Sequence, residues 1–172
     1  TLDKPTQTRV SIGYLSPDFR DHSVAFFTEG PLSAHDPTQV EVVIYHASLT
    51  MDGVSERFKA MAHLWHDVTK LDDLALADQI RADGIDILVD LCGHNRGNRM
   101  LVFARRPAPI QVAWVGYPHT TGLTRMDARI VDAITDPPGA ESYSPENISR
   151  LDNGFLCSRP PIDSPEPMPP PS

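Results

Sequence analysis

The chain has 172 residues, 40% of them hydrophobic and 22% charged, which fits one domain with a sizeable core. Its formal net charge of −8 argues against a broad nucleic-acid or anionic-membrane footprint. No apolar run is long enough to span a bilayer and the N-terminus carries no signal-peptide pattern. Cys92 and Cys157 stand far apart, outside any metal-ligand spacing, so a reducing, cytoplasmic setting is expected, with neither nucleic acid nor membrane as partner.

Taken in chain order, strand-like and helix-like segments alternate. "RVSIGYLS" (Arg9 to Ser16) is apolar and rich in strand formers. "SVAFFTEGPLSAH" (Ser23 to His35) reads as a helix interrupted at Gly30 and Pro31. "VEVVIYHA" (Val40 to Ala47) is a second strand, "SERFKAMA" (Ser55 to Ala62) a second helix, and "LWHDVT" (Leu64 to Thr69) a short third strand. "DDLALADQIRADG" is the clearest helix, with Asp72 able to cap its start and Gly84 able to end it. "IDILVDLCG" follows as a continuous apolar strand. A polar loop, a short helix near Leu101 to Arg105, a strand from Ile110 to Val115 and a last strand near Ala128 to Ala133 complete the series. The final "RPPIDSPEPMPPPS" holds seven of the seventeen prolines and reads as a linker or tail.

Strands alternating with helices of this length predict an α/β fold built on a parallel sheet with helices on both faces. Continuous apolar strands agree, because such a sheet buries both sides of each strand. The expected division is a Rossmann-like unit over residues 1–157 and a Pro-rich segment over 158–172. Ligands of open parallel sheets bind beyond the carboxyl ends of the strands. Four loops leave those ends: "SPDFRDHS", "CGHNRGNR", "GYPHTTG" and "DAITDPPG". They bring Asp18, Arg20, Asp21, His22, His94, Arg96, Arg99 and His119 toward one rim. In "GYPHTTG" the Gly and Pro fix the backbone close to a ligand, and Thr120 and Thr121 offer hydroxyls.

Simpler readings compete with these. His22 sits where a helix-capping or surface residue would, and Arg96 and Arg99 read equally well as solvated charges. "HLWHD" (His63 to Asp67) would be a metal pair only on a helix, and it reads as a strand. No dinucleotide fingerprint, P-loop or nucleophile-elbow motif is present.

"VSIGYLSPDFRDHSVAFF", "DGIDILVDLCGH", "RRPAPIQVAWVGYPHTTGLTRMDARIVD" and "RLDNGFLC" resemble the first half of the catalytic region of glycosyltransferase family 41. That family holds the protein O-GlcNAc transferases and the SPINDLY-type protein O-fucosyltransferases. "DHSVAFF", "LCGH" and "YPHTTG" are closer to the SPINDLY-like branch; in the animal O-GlcNAc transferases a Pro follows the matching His22 and a Tyr replaces His94.

The resemblance implies a GT-B-type enzyme of two Rossmann-like halves, of which this chain is the N-terminal one, incomplete and inactive alone. The missing C-terminal half would supply most nucleotide-sugar contacts, and tetratricopeptide repeats in the parent chain would hold the protein acceptor. The implied reaction moves GlcNAc or fucose from UDP-GlcNAc or GDP-fucose to Ser/Thr hydroxyls of proteins, with inversion and with no cofactor or metal. His22 and Asp83 match catalytic candidates of the family, and His94, Gly116, Tyr117 and Pro118, with Thr120 and Thr121 beside them, match the wall of the donor-sugar cleft. Two other classes stay open beside the enzyme: a non-catalytic α/β module that binds a sugar nucleotide or a protein, and a flavodoxin-type domain, for which "SPDFRDHS" lacks the expected Gly/Ser/Thr richness.

Overall fold

Alternation of side chains along each strand fixes which way the sheet packs. In β1 (Val10–Ser16), Tyr14 and Leu15 are both buried but enter different cores, as do Ile44 and Tyr45 of β2 (Val40–His46) and Val89 and Leu88 of β4 (Ile87–Asp90). A strand apolar on both faces is stable only between two covering layers, and the computed structural model, which describes residues 9–158, supplies both. Helices α1 (Ser23–Ser33) and α2 (Gly53–Met61) close one face through Val24, Ala25, Leu32 and Phe58. Helices α3 (Asp73–Ala82) and α4 (Met100–Ala104) close the other through Leu76, Ala77, Ile80, Val102 and Phe103.

The sheet has seven strands in the order β3-β2-β1-β4-β5-β6-β7, with β3 (Leu64–Asp67), β5 (Ile110–Trp114), β6 (Ala128–Asp132) and β7 (Asn147–Leu151) completing it. Every neighbouring pair runs parallel. This is the doubly wound, Rossmann-like arrangement expected from the sequence. The chain winds outward from β1 to β3 on one face, then crosses through α3 to β4 and winds outward again on the other.

Three local features depart from the sequence-based expectation. Helix α1 is not interrupted: it runs through Gly30 and Pro31 and ends at Ser33, with Ala34 N–H donating to the Gly30 carbonyl at 3.1 Å. Pro31 lies in the last turn, where its missing N–H removes one bond from a half-buried surface and its ring has no long helix to disrupt. Strand β5 stops one residue early because Val115 takes a left-handed φ of +62°. Strand β7 was not anticipated: "NISRL" is short and polar, and it lies on the sheet edge beside β6. "HLWHD" is strand as expected, with His63 3.1 Å from Glu41 and His66 3.3 Å from Asp83. The Pro-rich end from residue 159 lies outside the described residues.

Leu88 is fully buried at the centre of the sheet, between β1 and β5. Leu88→Ala is expected to cost about 2–5 kcal/mol in urea denaturation, and a loss under about 1 kcal/mol would place β4 outside the core.

Candidate active site

The winding direction reverses between β1 and β4, so the loops leaving their carboxyl ends depart toward opposite faces, the place where open α/β sheets form a ligand crevice. The first loop runs from Pro17 to His22. Asp18 is buried there; its N–H donates to Ser16 Oγ at 3.0 Å and its Oδ1 accepts from Arg20 Nη2 at 3.1 Å. His22 is half-buried at the N-cap of α1, where its Nδ1 accepts from the Val24 N–H at 3.2 Å. A neutral imidazole that accepts at Nδ1 carries its proton on Nε2. His22 therefore presents an N–H, and that Nε2 lies 3.8 Å from Asp18 Oδ1.

The second loop, Leu91 to Arg99, is shaped by Asp90. This carboxylate is buried at the end of β4 and accepts from the Cys92 N–H at 3.1 Å and the Gly93 N–H at 2.8 Å. Burial pushes its acid up to about 6, although the two amides and nearby His94 act in the opposite direction. His94 leaves the turn exposed and its Nε2 contacts the Thr121 carbonyl at 2.8 Å. Arg99 is not a solvated charge: it donates to Asp73 at 2.6 Å and to the Leu71 carbonyl at 2.7 Å, tying the loop to the start of α3. Arg96 stays exposed.

The third loop, Val115 to Gly122, locks into the second. A Cβ on Gly116 would stand 1.9 Å from the Leu91 carbonyl oxygen, and a Cβ on Gly93 2.1 Å from the Tyr117 Cβ. Asn95 Nδ2 donates to the Gly116 carbonyl, and the His94 and Tyr117 rings meet edge-on at 5.4 Å. Neither backbone segment has room for a side chain where they cross, which is why both positions are glycine.

Glu146, which leads into β7, pins the far end of this loop. It is buried, accepts from Thr120 Oγ1 at 2.7 Å and from the Thr121 N–H at 2.6 Å, and receives the Thr121 and Ser144 hydroxyls as well. Burial alone would raise its acid, but the hydroxyls of Ser144, Thr121 and Thr120 outweigh it and hold the group down to about 2.

These placements sort the residues read from the sequence. His22, His94, Gly116, Tyr117 and Pro118 come from three neighbouring loops at one sheet edge. The hydroxyls of Thr120 and Thr121 are drawn to Glu146, and Thr121 is buried, so they brace the loop from behind instead of facing the crevice. Asp83 is not brought to the site. It ends α3 at the opposite edge, just before β4 begins, and accepts from Tyr45 Oη at 2.6 Å and Gln79 Nε2 at 2.7 Å. A helix that leads into a parallel strand must finish at that strand's amino end, which separates Asp83 from the carboxyl-end rim. Asp90 and Glu146 were not singled out in the sequence. A lone Asp inside "ILVDL" was a usable signal; Glu146 carried none.

The sequence matches the family described as Glycosyl transferase family 41 over residues 2–158. The chain belongs to this family. It is 43% identical over 161 residues to a probable UDP-N-acetylglucosamine–peptide N-acetylglucosaminyltransferase SPINDLY of Arabidopsis thaliana, covering 91% of this chain and 18% of that protein. It is 38% identical to the UDP-N-acetylglucosamine–peptide N-acetylglucosaminyltransferase of Caenorhabditis elegans, over 86% of this chain and 13% of that one. Its fold superposes on a mutant of the Thermobaculum terrenum O-GlcNAc transferase with a TM-score of 0.90, at 41% identity, over 94% of this chain and 31% of that chain. The chain thus spans under a fifth of the length of the Arabidopsis and Caenorhabditis relatives.

Two outcomes follow for the family 41 loop pair. Gly116→Ala is expected to lower stability by about 3 kcal/mol, since backbone and not a flexible side chain opposes the new methyl; an unchanged melting temperature would show that the loops do not interlock. The low acid of Glu146, against an ordinary value of 4.5, contributes stability that is fully present above pH 4.5 and lost as the pH falls toward about 2. In urea titrations, Glu146→Gln is expected to be less stable than the parent at pH 7 and to match it near pH 2; a constant difference would remove the carboxylate from the loop.

Proposed function

We propose that the protein containing this chain transfers a sugar from a nucleoside-diphosphate sugar to Ser or Thr hydroxyls of proteins, and that this chain forms the N-terminal half of its catalytic region. The observation that carries the reading is that His22, His94 and the Gly116–Pro118 loop follow β1, β4 and β5 at the carboxyl edge of the sheet of a family 41 domain, the last two loops interlocked. The relatives named for peptide N-acetylglucosaminyl transfer support it, as does the fold shared with an O-GlcNAc transferase.

In this reaction the acceptor oxygen forms a bond to the anomeric carbon as the bond to the diphosphate oxygen breaks. The diphosphate leaves with the electron pair, and the proton lost from the hydroxyl is taken up by the departing diphosphate or by water. His22 is poorly set to take it while Nδ1 is engaged by Val24, so its role is to donate from Nε2 and position an oxygen of the substrate. The loop from Gly116 to Pro118 lies along the sugar and shapes the pocket through its backbone.

The reading takes no metal: Asp18 is engaged by Arg20 and Asp90 by two backbone amides. A second Rossmann-like half and acceptor-binding tetratricopeptide repeats belong to the remaining length. A cytoplasmic setting suits Cys92 and Cys157, both free thiols. Among the described residues no helix is long and apolar enough to cross a membrane.

The test is a mass-spectrometric screen of the full-length protein with UDP-GlcNAc and GDP-fucose on a Ser/Thr-rich acceptor, which is expected to add one of the two sugars; addition of neither refutes the proposal. In the same assay His22→Asn keeps a side-chain acceptor for the Val24 amide and removes the imidazole. Transfer is expected to fall at least about tenfold with little change in melting temperature, and normal transfer would take His22 out of the site.

A further inference from the structure

His94 and His22 stand on the same rim with opposite polarity. The partner of His94 Nε2 is the carbonyl of Thr121, 2.8 Å away, and a carbonyl can only accept. Nε2 must therefore carry the proton, and in the neutral ring Nδ1 is left with a bare lone pair. That nitrogen has no hydrogen-bond partner among the described residues, and the side chain is exposed.

This state is imposed and not incidental. The carbonyl that sets it belongs to Thr121, whose own N–H and hydroxyl are held by buried Glu146. The backbone before His94 is fixed by Asp90, which receives the Cys92 and Gly93 amides, and by the left-handed Gly93, packed against Tyr117. The ring itself abuts Tyr117 edge-on. Two buried carboxylates, one on each side, thus hold one exposed imidazole in a single tautomer and orientation.

The geometry points to His94 Nδ1 as an acceptor-only contact for one hydroxyl of the transferred sugar, a specificity-determining position in the donor pocket. The inference rests on the proposed function, because it takes the wall formed by His94 and the Gly116–Pro118 loop to be the sugar side of the crevice. An acceptor-only nitrogen discriminates by chemistry: a hydroxyl can donate to it, whereas a hydrogen in its place leaves the lone pair without a partner.

The experiment uses the full-length protein and the nucleotide sugar it transfers, together with deoxy analogues that each lack one sugar hydroxyl. kcat/KM is measured for the parent, for His94→Ala and for His94→Phe; the phenylalanine keeps a ring against Tyr117 while removing both nitrogens. One analogue is expected to lose about 10- to 100-fold with the parent and no more than about twofold with either variant, a coupling confined to that hydroxyl. His94→Gln, whose amide can donate to Thr121 and accept from the sugar, should recover part of the discrimination. A variant that loses activity equally toward every donor, or an intact discrimination pattern in both variants, overturns the inference while leaving the proposed function standing. A protein that transfers neither sugar overturns both.

Discussion

The contact on which the site depends is the crossing of two backbones. Gly116 lies so close to the Leu91 carbonyl that no side chain fits between them, and Gly93 meets Tyr117 in the same way. Once these approaches are made, little is left free. Tyr117 is placed, the Gly116 carbonyl faces Asn95, and the Thr121 carbonyl comes within reach of His94. The left-handed φ at Val115 is the turn that lets β5 deliver its chain to this crossing. Positive φ at a β-branched residue is unfavourable and persists only where its surroundings fix it. The crevice wall is thus shaped by the protein's own packing, before any ligand arrives.

Buried carboxylates flank this crossing and respond to burial in opposite ways. Asp90 has two backbone amides, too few to offset its desolvation, and its acid is raised to about 6. Glu146 gathers three hydroxyls and an amide, and its acid is lowered to about 2. Asp90 is both the more deeply desolvated of the two and the poorer in donors. Asp90 shapes a turn at a cost to stability near neutral pH, whereas Glu146 stabilises the loop it holds. The costly group is the one directly beneath the crevice, where a rigid turn matters most.

The parts legible in the sequence were those written in long apolar runs. The central strands and α3 announce themselves by continuous burial and helical period, and with them a parallel sheet covered on both faces. What escaped was set by tertiary partners. "NISRL" has too few apolar residues to signal a strand and becomes one only because β6 offers an open edge. Thr120 and Thr121 look like ligand hydroxyls until Glu146, about twenty-five positions later, is seen to receive them. Asp83 matched a family pattern, but its position at the end of α3 sends it to the far edge, where Tyr45 and Gln79 engage it. Local pattern therefore placed the loops on the sheet, and long-range hydrogen bonds decided which of their side chains are left free.

The two rim histidines show how backbone partners turn one residue type into two chemical functions. Val24 offers an amide to His22 and leaves it an N–H to present; Thr121 offers a carbonyl to His94 and leaves it a lone pair. In each case the partner alone selects the tautomer. The proposed sugar transfer has use for both: a donor for oxygens that carry negative charge, and an acceptor for hydroxyls that must be told apart. The partners differ in origin as well. The Val24 amide belongs to the first turn of a helix and is fixed by secondary structure, whereas the Thr121 carbonyl belongs to a loop and is fixed only through Glu146. Orientation of His94 is therefore the more fragile of the two, and it depends on the edge strand β7, which brings Glu146 to the loop.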